Sequence, residues 1–429
     1  MSFARRVGHV RQVSAGRIEA DGPFATVGEF CSIEADDGAA PMLAEVVAVG
    51  DERVVLMPLG YARAVAPDAR VTAVGHSGSA PVGHGFAGRL VSALGAPLDG
   101  RGEIFADEHR PIEGCVLEPL MRKEPDHVLE TGLRVIDGLL PLGRGQRTGV
   151  FAASGVGKTT LMRQLAVQTD ADKVVVCLVG ERGKEVEGFW RAIQSMGAPQ
   201  RFSMVAATSD MSAVLRARSV LQALCLCEFW RDQGQDVLLV IDSVTRAAMA
   251  MREIGLAAGA PPTVRAYTPN VFAALPRIVE RCGARRAGGA ISAVMTVLAE
   301  TDDLDDPIVE IMKSLLDGHI ILSRTIAEQG RYPAVDAPRS ISRQAERLIT
   351  PAHAAAARRA NAQLAAFEDA RIMVESGLYK PGSNVGIDLA LKTRDGLLAF
   401  LAQRPDERSR LDDTVRLLQQ LMIEGRSNG

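Results

Sequence analysis

Residues 148–160 read TGVFAASGVGKTT, an apolar run that passes directly into a glycine-bearing turn and then into helix-forming residues. This segment constrains the fold more tightly than any other. Gly155 and Gly157 allow consecutive backbone N–H groups to turn toward one point, and a helix starting there adds the positive end of its dipole. Lys158 contributes a point charge and Thr159 a hydroxyl. Ser154, Gly155, Val156, Gly157, Lys158, Thr159 and Thr160 therefore form a cradle for phosphate, with Thr159 placed for Mg²⁺. The pattern G-x-x-x-x-G-K-[ST] is met except that Ala152 replaces the first glycine. At average composition the core of this pattern arises by chance in roughly one or two per cent of chains this long.

Composition adds weight to the lysine. Only seven of the 49 basic residues are Lys, so Arg is the default cation and a Lys inside the cradle calls for a reason. Against them stand 52 acidic residues, and a net charge of -3 argues against a protein that coats nucleic acid. Aromatics make up 4%, too few for a base-stacking platform. The six cysteines form no CxxC pair and read as reduced core residues. No apolar run approaches the ~20 residues that span a bilayer, so a cytoplasmic, soluble chain is expected.

The surrounding sequence fits one architecture. Continuous apolar runs at 174–179, 237–241 and 290–298 are those of strands buried on both faces of a parallel sheet. Helical patterns at 160–168 and 211–231 lie between them, the alternation of an α/β fold. From Val7 to Gly75, short alternating runs broken by Gly, Pro and Asp predict a small β-barrel. The Gly- and Pro-rich stretch 76–103 reads as a linker with a tight hairpin. Beyond Ala345 the strand signals cease, and Ala354–Glu375 and Asp406–Ile423 read as amphipathic helices. The expected organisation is an N-terminal β-barrel over 1–80, a nucleotide-binding α/β core over 81–345 and a helical C-terminal domain over 346–429.

An α/β sheet opens its ligand crevice at the C-terminal ends of its strands, and two carboxylates stand at such ends. The run VLLVI ends in Asp242, suited to hold Mg²⁺ through a water. The run VVVCLVG ends in Glu181-Arg182, which places a carboxylate to orient or deprotonate an attacking water. The stretch RYPAVDAPRSISR supplies Arg331, Arg339 and Arg343 as candidate charges for the γ-phosphate, and spacing does not choose among them. Its Tyr332 could stack on an adenine or simply pack in the loop.

The segments TGLRVIDGLLPLGRGQRTGVFAASGVGKTTL, GERGKEVEGFW, IDSVTRAAMAMREIGLAAGAPP and DGHIILSRTIAEQGRYPAVDAPRSISR strongly resemble the type III secretion and flagellar protein-export ATPases, relatives of the rotary ATP synthase subunits. The phrases TRAAMAMREIGLA and DGHIILSR separate this branch from the synthase subunits. The resemblance covers nearly the whole chain and implies a RecA-like parallel sheet in the core. It also implies that Lys158 and Thr159 bind phosphate and Mg²⁺, that Glu181 is the catalytic carboxylate and that Asp242 is the Walker B acid. Arg182 would position the γ-phosphate or the interface, Tyr332 would be an adenine-side aromatic, and Arg343 the arginine finger entering a neighbour's site. ATP and Mg²⁺ are the implied cofactors.

The synthase places its catalytic Glu and its finger on two kinds of subunit, whereas this chain carries both Glu181 and Arg343. Such a head-to-tail interface closes into a ring, so a homohexamer is expected. The resemblance further implies a stator-like regulator, a central stalk protein, an export gate and chaperone–substrate complexes as partners. It places the ring at the inner membrane through the apparatus, with no nucleic acid partner. Barrel-like sequence is expected from within about ten residues of the start, where family members usually carry an extra amphipathic helix of a few turns that docks the regulator. Two further departures are Ala153 and Ala266, each where the family has Gly; Ala is cheap at negative φ and strained at positive φ. The alternatives are a hexameric RNA translocase of the transcription-terminator type and a non-catalytic nucleotide-binding ring subunit. The first would need an aromatic, basic barrel, whereas Val7–Gly75 holds only Phe24, Phe30 and Tyr61 with a modest set of arginines. Glu181 argues against the second.

Overall fold

The computed structural model describes residues 6–14, 16–34, 40–60, 65–76, 78–299 and 306–424. Its elements are an N-terminal six-stranded barrel, a mostly parallel sheet flanked by helices, and a C-terminal helical region. The chain divides into two compact units.

The first unit holds residues 1–118, 173–233 and 241–281. Its barrel closes because Val7–Ser14 pairs with both Arg17–Asp21 and Arg70–His76, and the remaining strands, Arg53–Pro58, Met42–Val49 and Glu29–Ile33, complete the ring. Alternate residues Val10, Ile18, Ala20, Cys31, Ile33, Ala44, Val46, Val54, Leu56 and Val71 fill the interior, as a period of two dictates. Closure also removes the exposed edges of so short a sheet. Met57 and Leu59 pack on Ala213, Val214 and Ala250 of the two long helices in this unit, Ala213–Asp232 and Val244–Ala257. Of the barrel's aromatics, Phe24 is 79% exposed, Phe30 lies 5.3 Å beneath the Arg218 guanidinium, and Tyr61 lies outside the described residues.

Beside the barrel, Lys173–Val179 runs parallel to Phe202–Ala207, which runs parallel to Arg89–Val91. The stretch 76–103 is therefore more than a linker. It contributes Ser79–Val82, paired with Glu108–Pro111, and it adds Arg89–Val91 to the main sheet. The expected tight hairpin is present, closed by Ser92 N–H to Ala96 C=O (2.8 Å) and Leu98 N–H to Leu90 C=O (2.8 Å). The fully buried Arg281 is matched by Glu228, at 2.7 and 2.9 Å, and by the Ile112 carbonyl at 2.9 Å. A buried guanidinium needs this pairing, because an uncompensated charge costs several kcal/mol.

The second unit holds residues 119–172, 234–240 and 282–429. Arg147–Ala152 lies between Ala290–Leu298 and Gly318–Ile321, parallel to both, and Ile341–Ser342 adds an antiparallel edge to the last. The helices Lys158–Gln168 and Pro307–Leu315 belong to the same unit. The C-terminal helices are Pro351–Glu375, Val385–Leu401 and Leu411–Glu424. The first starts where Thr350 accepts the His353 N–H (3.3 Å) and Pro351 takes the opening helical position. The second contains Gly386 and Gly396, which mask its helical signal in the sequence. Strand Asp236–Asp242 begins in the second unit and ends in the first.

Five cysteines are buried, Cys115 is exposed, and all six are free thiols. Among the described residues no helix is long and apolar enough to cross a membrane.

The two alanine departures differ in consequence. Ala153 is not among the residues of positive φ, so it costs nothing, whereas Ala266 and its neighbour Arg265 take φ of 59° and 52°. Left-handed backbone costs an L-residue roughly 1–2 kcal/mol, and Gly recovers part of that after its own entropy loss. Ala266→Gly is expected to stabilise the chain by about 1 kcal/mol, read as a higher urea midpoint with unchanged slope.

Candidate functional site

The candidate residues fall into two groups, one in each unit. In the second unit, strand Arg147–Ala152 ends at the turn 153–157, and Gly155 and Gly157 take φ of 83° and 86°. Val156, 2% exposed, anchors the turn from below, while Ser154, Gly155 and Thr159 are exposed and Lys158 and Thr160 half-buried. Gly157 caps the helix Lys158–Gln168, whose first intrahelical bond runs from Leu161 N–H to Gly157 C=O (3.0 Å). The Thr159 and Thr160 N–H groups precede that bond and emerge from the helix N-terminus. Leu161, Met162, Leu165 and Ala166 bury the opposite face.

Tyr332 belongs to the same group. A side chain on Gly157 would place its Cβ 3.2 Å from the Tyr332 ring, so the ring lies directly against the turn. The Tyr332 carbonyl accepts the Gln403 N–H (2.9 Å), and Gln164 and Gln168 on the phosphate-loop helix donate to the carbonyls of Arg404 (3.2 Å), Pro405 (3.1 Å) and Glu407 (3.1 Å). The C-terminal segment thereby holds both the helix and the ring.

In the first unit, strand Lys173–Val179 runs into Gly180, whose N–H bonds the Ala207 carbonyl at 2.7 Å, and then into Glu181. Glu181 is 3% exposed and Asp242, at the end of its strand, 2%. Ser243 caps the helix Val244–Ala257 by accepting the Arg246 N–H (3.3 Å). From that first turn the Arg246 guanidinium reaches back, with Nε 3.3 Å from a Glu181 carboxylate oxygen and a second nitrogen on the Gly180 carbonyl. Arg246 thus ties the strand end bearing Glu181 to the helix that follows Asp242. Sequence reasoning misses it because its role depends on a partner 65 positions away; the TRAAMAM phrase is the only signal. Arg182 precedes the helix Gly183–Gln194, is exposed, and makes no side-chain ion pair among the described residues.

The three candidate arginines separate. Arg331 is half-buried, and loss of solvent lowers its pKa, with Asp336 acting in the opposite sense. Arg339 is exposed and 3.9 Å from Asp336. Arg343 follows the edge strand Ile341–Ser342; its N–H bonds the Asp317 carbonyl (3.0 Å) and its guanidinium the Lys313 carbonyl (3.2 Å). The Asp317 carboxylate is itself held by Arg147, whose guanidinium donates two hydrogen bonds of 2.9 Å and whose backbone N–H donates a third of 2.9 Å.

The donor set fits a nucleoside triphosphate and its divalent cation. The turn carries positive-φ glycines, open helix N–H groups and a lysine with no acidic residue in the first helical turn. In the second unit Thr159 offers a hydroxyl and in the first Asp242 offers a carboxylate, each taken separately a hard oxygen of the kind Mg²⁺ accepts.

Comparison with known proteins agrees with this class. The ATP synthase alpha/beta family, nucleotide-binding domain, matches residues 132–342, and the T3SS EscN ATPase C-terminal domain matches residues 349–420. A type 3 secretion system ATPase of Xanthomonas euvesicatoria is 41% identical, covering 97% of this chain and 94% of that protein. A flagellum-specific ATP synthase of Bacillus subtilis (strain 168) is 41% identical over 97% of this chain and 95% of its own length. The assembled ATPase EscN of the enteropathogenic E. coli type III secretion system superposes with a TM-score of 0.92 at 34% identity, covering 96% of this chain and 99% of that one. The fold and site are those of a phosphate-loop ATPase of the ATP synthase alpha/beta type. Within that class, the chain belongs to the family of type 3 secretion system ATPases and flagellum-specific ATP synthases.

Proposed function

We propose that the chain is the ATP-hydrolysing motor subunit that energises protein export through a flagellar or injectisome type III secretion apparatus. It works as a homohexameric ring whose sites are completed by Arg343 of the neighbouring copy. The observation that carries this reading is that one chain holds a buried carboxylate braced by a guanidinium, Glu181 with Arg246 at 3.3 Å, and also an exposed arginine anchored through its backbone, Arg343. Each subunit then serves as catalyst toward one neighbour and activator toward the other.

The roles follow from the groups. Backbone N–H groups of the turn and the Lys158 ammonium bind the phosphates, and the Thr159 hydroxyl with Asp242, the latter through a water, would hold Mg²⁺. Bound Mg²⁺ neutralises charge on the β- and γ-phosphates. Glu181 orients the attacking water and accepts its proton. Arg182 acts at the γ-phosphate or at the subunit interface, and Tyr332 on the adenine side. The three-part division at residues 80 and 345 assigns binding and turnover to the middle and partner contacts to the two ends. Family membership supports a stator-like regulator, a central stalk, an export gate and chaperone–substrate complexes as partners, at the cytoplasmic face of the inner membrane. Among the described barrel residues only Phe24 is a strongly exposed ring, which gives no support to the RNA-translocase alternative.

Mg²⁺-dependent phosphate release from purified chain tests the proposal. Turnover per subunit is expected to rise steeply with protein concentration and to show no stimulation by RNA. Concentration-independent turnover would contradict a site completed in trans.

A further inference from the structure

The exposed edge that carries Arg343 holds more positive charge than one finger requires. Lys313, one of only seven lysines in the chain, sits in the last turn of Pro307–Leu315, and the carbonyl that receives the Arg343 guanidinium (3.2 Å) is its own. The Lys313 ammonium stands 5.6 Å from the centroid of the Phe151 ring and has no carboxylate within ion-pair distance among the described residues. Phe151 also meets His319 edge-on, with ring centroids 6.0 Å apart. Gly318 and His319 face Ser342 and Ile341 across the antiparallel ladder, so the strand, the helix end and the finger form one rigid edge.

The charges at this edge act on one another. Burial and then Arg339 lower the Lys313 pKa, which Glu310 opposes; burial, Lys313 and Arg343 lower that of His319. Arg339 has only a loose ion pair with Asp336 at 3.9 Å. Lys313, Arg339 and Arg343 gather more positive charge than Glu310 and the loosely held Asp336 offset; such an excess costs free energy, and it persists where an anion from elsewhere completes it. A lysine ammonium is a compact point charge on a flexible stem, suited to a phosphate oxygen beside an arginine fork.

We infer that Lys313 is a second cation of the finger edge, engaging with Arg343 the polyphosphate of the nucleotide held by the neighbouring subunit. This rests on the assignment of Arg343 as a finger in trans. Phe151 fixes the ammonium's approach through its ring face, and the helix C-terminus fixes the guanidinium.

Steady-state ATP hydrolysis by the assembled full-length chain is the test, with Lys313→Gln, Lys313→Arg and Arg343→Ala compared. Lys313→Gln is expected to lower kcat/KM about tenfold or more, while Lys313→Arg retains most of it. Fluorescent nucleotide binding to the dilute, unassembled Lys313→Gln chain should match wild type, since its own phosphate loop is intact. Mixed assemblies of Lys313→Gln with Glu181→Gln chains should recover hydrolysis, because the Glu181→Gln chain brings an unaltered finger edge. Wild-type kcat/KM in Lys313→Gln overturns the inference. Weakened binding by the dilute chain would place Lys313 in its own site, and loss of assembly would give it a carboxylate of the neighbour; either overturns it too. Full activity of Arg343→Ala removes the underlying finger assignment, whereas loss there with normal Lys313→Gln kinetics removes Lys313 alone.

Discussion

Arg343→Ala is expected to lower turnover of the assembled enzyme by about 10³-fold or more, with little change in the stability of the chain. The γ-phosphoryl group gathers charge on its peripheral oxygens as its bond to the leaving group breaks, and a guanidinium placed there acts only when that charge develops. Arg343 is exposed, and its backbone N–H, bonded to the Asp317 carbonyl at 3.0 Å, survives truncation. Truncation removes the guanidinium's hydrogen bond to the Lys313 carbonyl at a helix C-terminus, where a cation contributes roughly 0.3–1 kcal/mol. Phosphate release at saturating ATP measures the fall in turnover. Mixing Arg343→Ala with Glu181→Gln chains separates the finger from any effect within one subunit. In such a mixture some Arg343→Ala chains keep a working carboxylate and receive Arg343 from a Glu181→Gln neighbour. Partial recovery is the expected result, and no recovery at any mixing ratio would count against a finger in trans.

Glu181→Gln comes next in size, an expected fall in kcat of about 10²- to 10⁴-fold with nucleotide binding retained. Gln keeps the volume and one hydrogen-bond acceptor but cannot take a proton from water. Glu181 is 3% exposed, and its carboxylate lies 3.3 Å from the Arg246 Nε, so the substitution also removes an ion pair. Retained nucleotide affinity with abolished turnover, measured by fluorescent nucleotide titration beside phosphate release, identifies a role in the chemical step. A parallel loss of both would instead mark Glu181 as a support for the strand end.

Much of the site is visible in the linear chain because its parts are local. Gly155, Gly157, Lys158 and Thr159 act within one strand–turn–helix unit, and the φ values of 83° and 86° are those the two glycines permit. Asp242 and Glu181 are likewise visible as polar residues at the ends of apolar runs. Arg246 is not, since its meaning lies in an ion pair with Glu181 made only when the end of a strand meets the first turn of a distant helix. Tyr332 gains meaning in the same way, from its ring lying 3.2 Å from where a side chain on Gly157 would begin.

The fold divides along similar lines. The strand Phe202–Ala207 carries Ser and two alanines, weak strand formers, and it forms because Lys173–Val179 and Arg89–Val91 pair on its two sides. The helix Val385–Leu401 contains Gly386 and Gly396, which local propensity penalises by about 1 kcal/mol each. Gly396 compensates in packing, for a Cβ there would come within 3.0 Å of Leu421 on the last helix.

The residues in order therefore settled the barrel, the parallel core, the phosphate turn and the positions of the two acids, because each depends on neighbours a few positions away and on the periodicity of burial. Tertiary contact alone decided that Arg246 braces Glu181, that Ala266 is strained at φ 59° while Ala153 is not, and that Lys313 shares an edge with Arg343. These are relations between residues far apart in the chain, or backbone angles imposed by surroundings, and neither is encoded in local composition or spacing.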